Sequence, residues 1–349
     1  MIDPDLHPEL PIPDHYDPEK TSKVWKVPYQ QRATEARKWA EKYSIPPAAD
    51  DHLKIALLGI DIQNSFCIPD FELFVAGQSG TGAMDDTRRL CEFVYHNLGR
   101  INQITLTLDS HLAMQIFHPV FLVDEHGNHP DPYTPITRAD VRTGRWRINP
   151  AITHNLSVDN TFAQRYLLHY TEMLESEGKY NLTIWPYHCM IGSVGHALVS
   201  SFEEAVFFHS IARYSQPTFE VKGLNPLTEH YSALGPEVLC GPDGEAIATS
   251  DDRILHQLRR FDAVVVAGQA KSHCVAWTID DLLEKIKHED PLLVQKVYLL
   301  EDCTSPVVIP GAADYTGLAD EAFKRFAREG MNIVRSTDPI EDWLKIPRN

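Results

Sequence analysis

Four apolar runs in this chain end in side chains able to do chemistry. ALLGI ends in Asp61, ITLTL ends in Asp109 with His111 two residues on, a run near Phe219 ends in Lys222 followed by Gly223, and VVVAG leads through Gln269 to Cys274. An acid, an amine and a thiol together suit nucleophilic catalysis. Cys274 stands where a helix is expected to begin. Free backbone N–H groups and the positive dipole end there favour a thiolate and can hold an oxyanion. Asp109, His111 and His188 of WPYHC form a second set, a carboxylate and two imidazoles, which suits zinc, iron or manganese in an open site. His118 is either a fourth ligand or a loop residue packed against Pro119. Each residue alone has a plainer reading. An Asp after a strand is often a cap or turn residue, a Cys there is more often a packed small hydrophobe, and a D-x-H pair is easily met by chance among 17 histidines. Their coincidence at one sheet edge is what points to chemistry.

That edge follows from the pattern of elements. From Lys54 onward, short apolar runs alternate with amphipathic stretches, as in successive βαβ units. Strands are predicted near Ile55 to Ile60, Ile104 to Leu108, Pro217 to Val221, Ala263 to Ala267, Val297 to Leu300 and Met331 to Val334. Helices are predicted near Asp85 to Leu98, Gly195 to Ile211, Asp252 to Arg260, Cys274 to Lys287 and Leu318 to Glu329. The fold class is α/β: a three-layer Rossmann-like fold with a central, mostly parallel six-stranded sheet and helices on both faces. In such a sheet, ligands bind outside the carboxyl ends of the strands. Residues 1–50 read as an extension, Pro-rich with a helix near Gln30 to Tyr43, before a domain over 51–349. Within that domain, about 121–181 reads as an insertion with a helical run from Thr161 to Glu177. CGPDGEAIATS, over 240–250, is expected to form a small hairpin around its Pro-Asp-Gly turn.

Composition narrows the class. The chain has 349 residues, 43% apolar and 23% charged, which is ordinary for a folded protein. Its net charge of -17 opposes binding to nucleic acid or to anionic lipid. No run approaches the roughly 20 apolar residues of a membrane span, and the N-terminus lacks an apolar leader core, so a cytoplasmic protein is expected. The six cysteines are scattered without a C-x-x-C pair, which fits neither a disulfide framework nor a zinc ribbon. Most are expected to be buried, reduced thiols.

DIQNSF, DSH, WPYHCMIGSVG, VKG followed by EHYSAL, and VVVAGQAKSHCV, in this order and spacing, resemble the nicotinamidase branch of the isochorismatase-like cysteine hydrolases, from Lys54 to about Thr337. The resemblance implies Cys274 as nucleophile, Asp61 as the base that moves its proton, and Lys222 as the cation beside them. It implies an oxyanion hole from the N–H groups of Ala270 and Cys274, with a cis peptide before Ala270. It implies one divalent metal ion (zinc, iron or manganese) on Asp109, His111 and His188, gripping the pyridine nitrogen of the substrate. Phe66, Trp185 and Tyr231 match the aromatic lining of the ring pocket. Simple isochorismatases lack these ligands, so a small-molecule amide such as nicotinamide is the expected substrate, and a homo-oligomer is expected by analogy. Three positions differ from the usual pattern: Ser65 in the first motif, Gln269 before the cis bond, and His273 before the cysteine. The competing readings are a hydrolase of another amide or carbamoyl compound, and a non-catalytic metal-binding scaffold.

Overall fold

Six runs of the chain build one sheet in the computed structural model, which describes residues 7–156 and 158–343. These are β1 (Ile55–Ile60), β2 (Ile101–Asp109), β3 (Thr218–Lys222), β4 (Ala263–Gly268), β5 (Val297–Leu300) and β6 (Asn332–Val334). Their order is β6-β5-β4-β1-β2-β3, and every neighbouring pair is parallel. Side chains alternate across a strand, and a sheet covered on both faces reads as a continuous apolar run. In β1, Ile55 and Leu57 enter one core with Leu90 and Val94 of α2 (Gly82–His96) and Phe202 and Val206 of α4 (Ser200–Arg213). Ala56, Leu58 and Ile60 enter the other, with Ile254 and Leu255 of α5 (Arg253–Arg260), Ile279 and Leu282 of α6 (Cys274–Glu289) and Phe323 and Phe326 of α7 (Thr316–Arg328). The register sets Asp109 beside Lys222 and Ile60 beside Gly268. Residues far apart in sequence therefore leave the sheet together at its carboxyl edge.

Outside this sheet, α1 (Tyr29–Lys42) of the N-terminal segment packs on α4, where Arg32 Nε meets Glu204 Oε1 at 2.6 Å and Ala36 is fully buried. Between β2 and β3, the chain from 121 to 181 carries α3 (Asn160–Ser176), whose N-terminus is capped by Asp159 accepting the Phe162 N–H at 2.8 Å. Phe121, Ile136, Ile148, Tyr166, Leu167 and Tyr170 form a core of this segment that also takes in Trp185.

Two expectations are corrected. The helix expected from Gly195 starts at Ser200. The carbonyls of Gly195 and Ala197 accept from Ser65 and Asn64, and Val199 donates to Ile62, so residues 195–199 run as a turn and a single antiparallel bridge, Leu198 to Gln63, against the loop after β1. The hairpin at 240–250 reduces to a single antiparallel bridge between Cys240 and Ala246, because the loop lacks the length of paired strand to extend it. Cys67, Cys91, Cys189, Cys274 and Cys303 are buried, Cys240 is exposed, and all six are free thiols. Among the described residues, no helix is long and apolar enough to cross a membrane.

Candidate active site

The loops leaving β1, β2, β3 and β4 bring Asp61, Asp109, Lys222 and Cys274 into contact. Asp61 follows β1 directly with φ at 50°, a left-handed conformation that turns the chain out of the sheet and that Asp tolerates better than most residues. Thr107 of β2 holds it there: its hydroxyl accepts the Asp61 N–H at 3.0 Å and donates to Asp61 Oδ1 at 2.6 Å. Lys222 Nζ lies 3.0 Å from Asp61 Oδ2, 2.9 Å from Asp109 Oδ1 and 3.6 Å from Cys274 Sγ, and donates to the His230 carbonyl at 2.9 Å. One buried ammonium thus faces two carboxylates and a thiol.

Burial and charge compete at each of these groups. Burial alone would lower the Lys222 ammonium, but Asp109 and Asp61 outweigh it and hold the lysine well above its ordinary value. Burial pushes the Asp61 carboxyl up, against the pull of Lys222. Burial also pushes the Cys274 thiol well up; Lys222 opposes this, and the Asp61 and Asp109 carboxylates add to it. Burial thus works against the thiolate that the helix N-terminus is expected to favour. Asp61 Oδ2 meets Lys222 as an ion pair without hydrogen-bonding alignment, which leaves it free to accept that proton.

Asp109, His111 and His188 are buried, and one ligand atom from each lies within 4.8 Å of the others. His188 Nδ1 is 2.7 Å from the Pro186 carbonyl and His111 Nδ1 is 3.3 Å from the Gly223 carbonyl. Ring hydrogens on Nδ1 would leave both Nε2 lone pairs for an ion beside Asp109 Oδ2, which lies 2.7 Å from His111 Nε2 and 3.6 Å from His188 Nε2. Burial would raise the Asp109 carboxyl, yet His111 and Lys222 hold it well below the usual carboxylate range. Such a donor set fits one divalent ion. His118 lies outside the set. Its Nδ1 faces the Ala113 carbonyl at 3.2 Å, and its ring stands 5.9 Å from that of His111.

The remaining predicted residues line one cavity. Phe66, Trp185 and Tyr231 wall it beside Asp109, His111, His188, Ala270 and Cys274, while Asp61 and Lys222 sit behind Cys274. Cys274 opens α6, the Gln269–Ala270 peptide is cis, and no backbone carbonyl among the described residues takes the N–H of Ala270 or Cys274. Gln269 donates to Asp86 at 2.9 Å, and the Ser65 hydroxyl donates to Glu72 at 3.0 Å.

Sequence reasoning passed over several wall residues, among them Phe117, Glu229 and His230. Glu229 accepts from the Tyr231 hydroxyl at 2.6 Å and from the Tyr170 hydroxyl of α3 at 3.1 Å, and burial holds its carboxyl up at about 8. Glu229 and His230 stand in the same EHYSAL run as Tyr231. Two polar residues directly before an aromatic, a short loop after a strand-end lysine, were the available signal.

No protein-family model matches the sequence, and no curated protein matches it. Solved structures do. The chain is similar to an Acinetobacter baumanii nicotinamidase/pyrazinamidase at 19% identity, with 81% of this chain and 97% of that one covered and a TM-score of 0.48. It is similar to the yeast nicotinamidase bound to the inhibitor nicotinaldehyde at 16% identity, covering 80% and 99%, with a TM-score of 0.49. It is also similar to a Pyrococcus horikoshii pyrazinamidase in complex with zinc at 17% identity, covering 80% and 98%, with a TM-score of 0.41.

Proposed function

We propose that this protein is a metal-assisted cysteine amidohydrolase that converts nicotinamide, or a related aromatic carboxamide, to its acid and ammonia through a thioester. The observation that carries this reading is the contact of Lys222 with Asp61, Asp109 and Cys274 behind an aromatic-walled cavity. Cys274 Sγ attacks the amide carbon as its proton passes to Asp61 Oδ2. The Lys222 ammonium offsets the negative charge on sulfur, and the N–H groups of Ala270 and Cys274 receive the oxyanion. Collapse expels ammonia, which takes the proton back from Asp61. Water, deprotonated by the same carboxylate, then attacks the thioester and releases the acid with the thiol restored. Phe66, Trp185 and Tyr231 stack and enclose the ring, and exclude water from the nucleophile. Asp109, His111 and His188 would hold one divalent ion, which when bound supplies a Lewis acid that anchors and orients the ring.

The test is ammonia release from metal-replete protein offered nicotinamide beside other amides and carbamoyl compounds. Turnover that disappears in Cys274→Ala and in Asp61→Asn, each still folded by circular dichroism, is the expected result. Activity surviving in either variant removes the proposed triad, and silence on every amide removes the hydrolase.

A further inference from the structure

Two fully buried polar residues just after Asp61, Gln63 and Ser65, neither line the cavity nor enter the chemistry above. Gln63 has a fixed partner for both ends of its amide. Its Oε1 accepts the Asp109 N–H at 2.8 Å, and its Nε2 donates to the Asp109 carbonyl at 2.8 Å and to the His196 carbonyl at 2.9 Å. The reverse orientation of the amide would set its oxygen against two carbonyls, so the side chain has one seat. Both backbone groups of Asp109 are thereby tied to the loop after β1, while its carboxylate is left to Lys222 on one side and to His111 and His188 on the other. The Ser65 hydroxyl accepts the Cys189 N–H at 3.0 Å and donates to Glu72 Oε2 at 3.0 Å. Cys189, directly after His188, has φ at 44°, a left-handed conformation that a non-glycine residue keeps only where its surroundings hold it. Ser65 holds its N–H, and the His111 N–H holds its carbonyl at 3.0 Å. The turn that carries His188 to Asp109 is therefore clamped at both of its polar groups.

We propose that Gln63 and Ser65 are positioning residues of the ion site: Gln63 sets Asp109, and Ser65 sets His188. The proposal rests on the ion-site part of the reading above and is independent of the amide chemistry. Ligands already held by fixed partners lose little freedom when an ion arrives, and removing such partners typically weakens metal affinity about 10–100-fold. Asn64, between the two, supports the same loop in another way. Its Nδ2 donates to the Val194 carbonyl at 2.7 Å, and its side chain bonds to nothing else among the described residues. Losing that bond weakens the loop without releasing a ligand.

The test is calorimetric titration of the chelator-stripped full chain with Mn²⁺ and, separately, with Zn²⁺. The wild-type chain should take up one ion. Gln63→Met keeps the length of the side chain and removes all three of its bonds. It and Ser65→Ala should each bind the ion about tenfold or more weakly. Gln63→Glu should be weak as well, since it keeps an acceptor for the Asp109 N–H but sets an oxygen against the two carbonyls. Asn64→Ala should lower the urea midpoint and still bind the ion as the wild type does. Gln63 and Ser65 variants that are folded by circular dichroism and bind as the wild type does would overturn the proposal and leave the ion site standing. An Asn64→Ala affinity reduced as far as theirs would also overturn it, leaving all three residues a general support of the loop. If the Gln63 variants fail to fold, Ser65→Ala decides. A wild-type chain that takes up no ion removes the ion site and the proposal with it. Ion uptake weakened by both substitutions, without ammonia release from any amide, would keep the positioning residues and remove the hydrolase.

Discussion

Glu229→Gln tests the electrostatics of the cavity wall without touching Asp61, Lys222 or Cys274. Glu229 is 2% exposed, and burial lifts its carboxyl from an ordinary 4.5 to about 8, with the Tyr231 and Tyr170 hydroxyls pulling the other way and Glu237 adding to the rise. In the unfolded chain the group ionises near its ordinary value. Between about 4.5 and 8 the folded protein therefore binds one proton more than the unfolded chain, and stability falls as pH rises. The stabilising contribution is complete below about 4.5 and is lost on the way to 8. One proton corresponds to a slope of about 1.4 kcal/mol per pH unit, or roughly 2–3 kcal/mol between pH 5.5 and 7.5. Glutamine keeps the shape and cannot ionise, so its curve should be flatter by that amount. Glu237, held up at about 7 by burial against the pull of Lys179, titrates in the same direction in both proteins, so the difference reads Glu229 together with its repulsion from Glu237. Urea unfolding in half-unit pH steps reads both slopes. Parallel curves would refute the claim that Glu229 carries a proton in the folded state.

Lys222→Met should cost about 3–5 kcal/mol in urea unfolding, because it strands the buried Asp61 and Asp109 carboxylates without their cation. Unchanged stability would mean that the two carboxyls are already neutral. Thr107→Val is nearly isosteric and removes the hydroxyl that both accepts from and donates to Asp61, so a loss of about 1–3 kcal/mol is expected. Steady-state kinetics on an accepted amide should show kcat falling more than KM rises. Dialysis against a strong chelator should remove one divalent ion per chain, measured by elemental analysis, and readdition should restore it. His188→Ala should fail to retain the ion; equal retention would place it elsewhere.

The sheet was legible because β1 and β4 are buried on both faces, and such strands read as unbroken apolar runs whatever surrounds them. The residues closing those runs were legible for the same reason, since the carboxyl edge of a parallel sheet is where a ligand site must open. Asp61, Asp109, Lys222 and Cys274 could be placed at one edge before their contacts were seen. The contacts themselves depend on register, which no local pattern encodes: Asp109 meets Lys222 only because β2 and β3 pair with those residues opposite. Burial was also invisible, and it acts on Cys274 against the neighbouring Lys222 cation, pushing the thiol up. The start of α4 was missed because residues 195–199 bond to the loop after β1, a partnership more than 130 residues long in sequence.

The chain between β2 and β3 joins the site by hydrogen bonds as well as by packing. The Trp185 indole N–H donates to the Tyr231 hydroxyl at 2.9 Å, that hydroxyl donates to Glu229, and Glu229 receives Tyr170 from the buried face of α3. Tyr180, at the end of the same segment, donates to the Ser272 carbonyl at 2.9 Å, two residues before Cys274. Both walls of the cavity are thus tied to this segment. Removing it would leave Glu229 with one hydroxyl partner instead of two and would open the far side of Trp185, which packs into the segment's own core. A buried acid short of one hydrogen bond and an exposed indole both act against a closed aromatic pocket. Shape and polarity at the aromatic end of the cavity are consequently set by residues 121–181 together with the EHYSAL run, whereas Asp61, Lys222 and Cys274 are held by the sheet. A change of substrate can evolve in the first set while the second stays as it is.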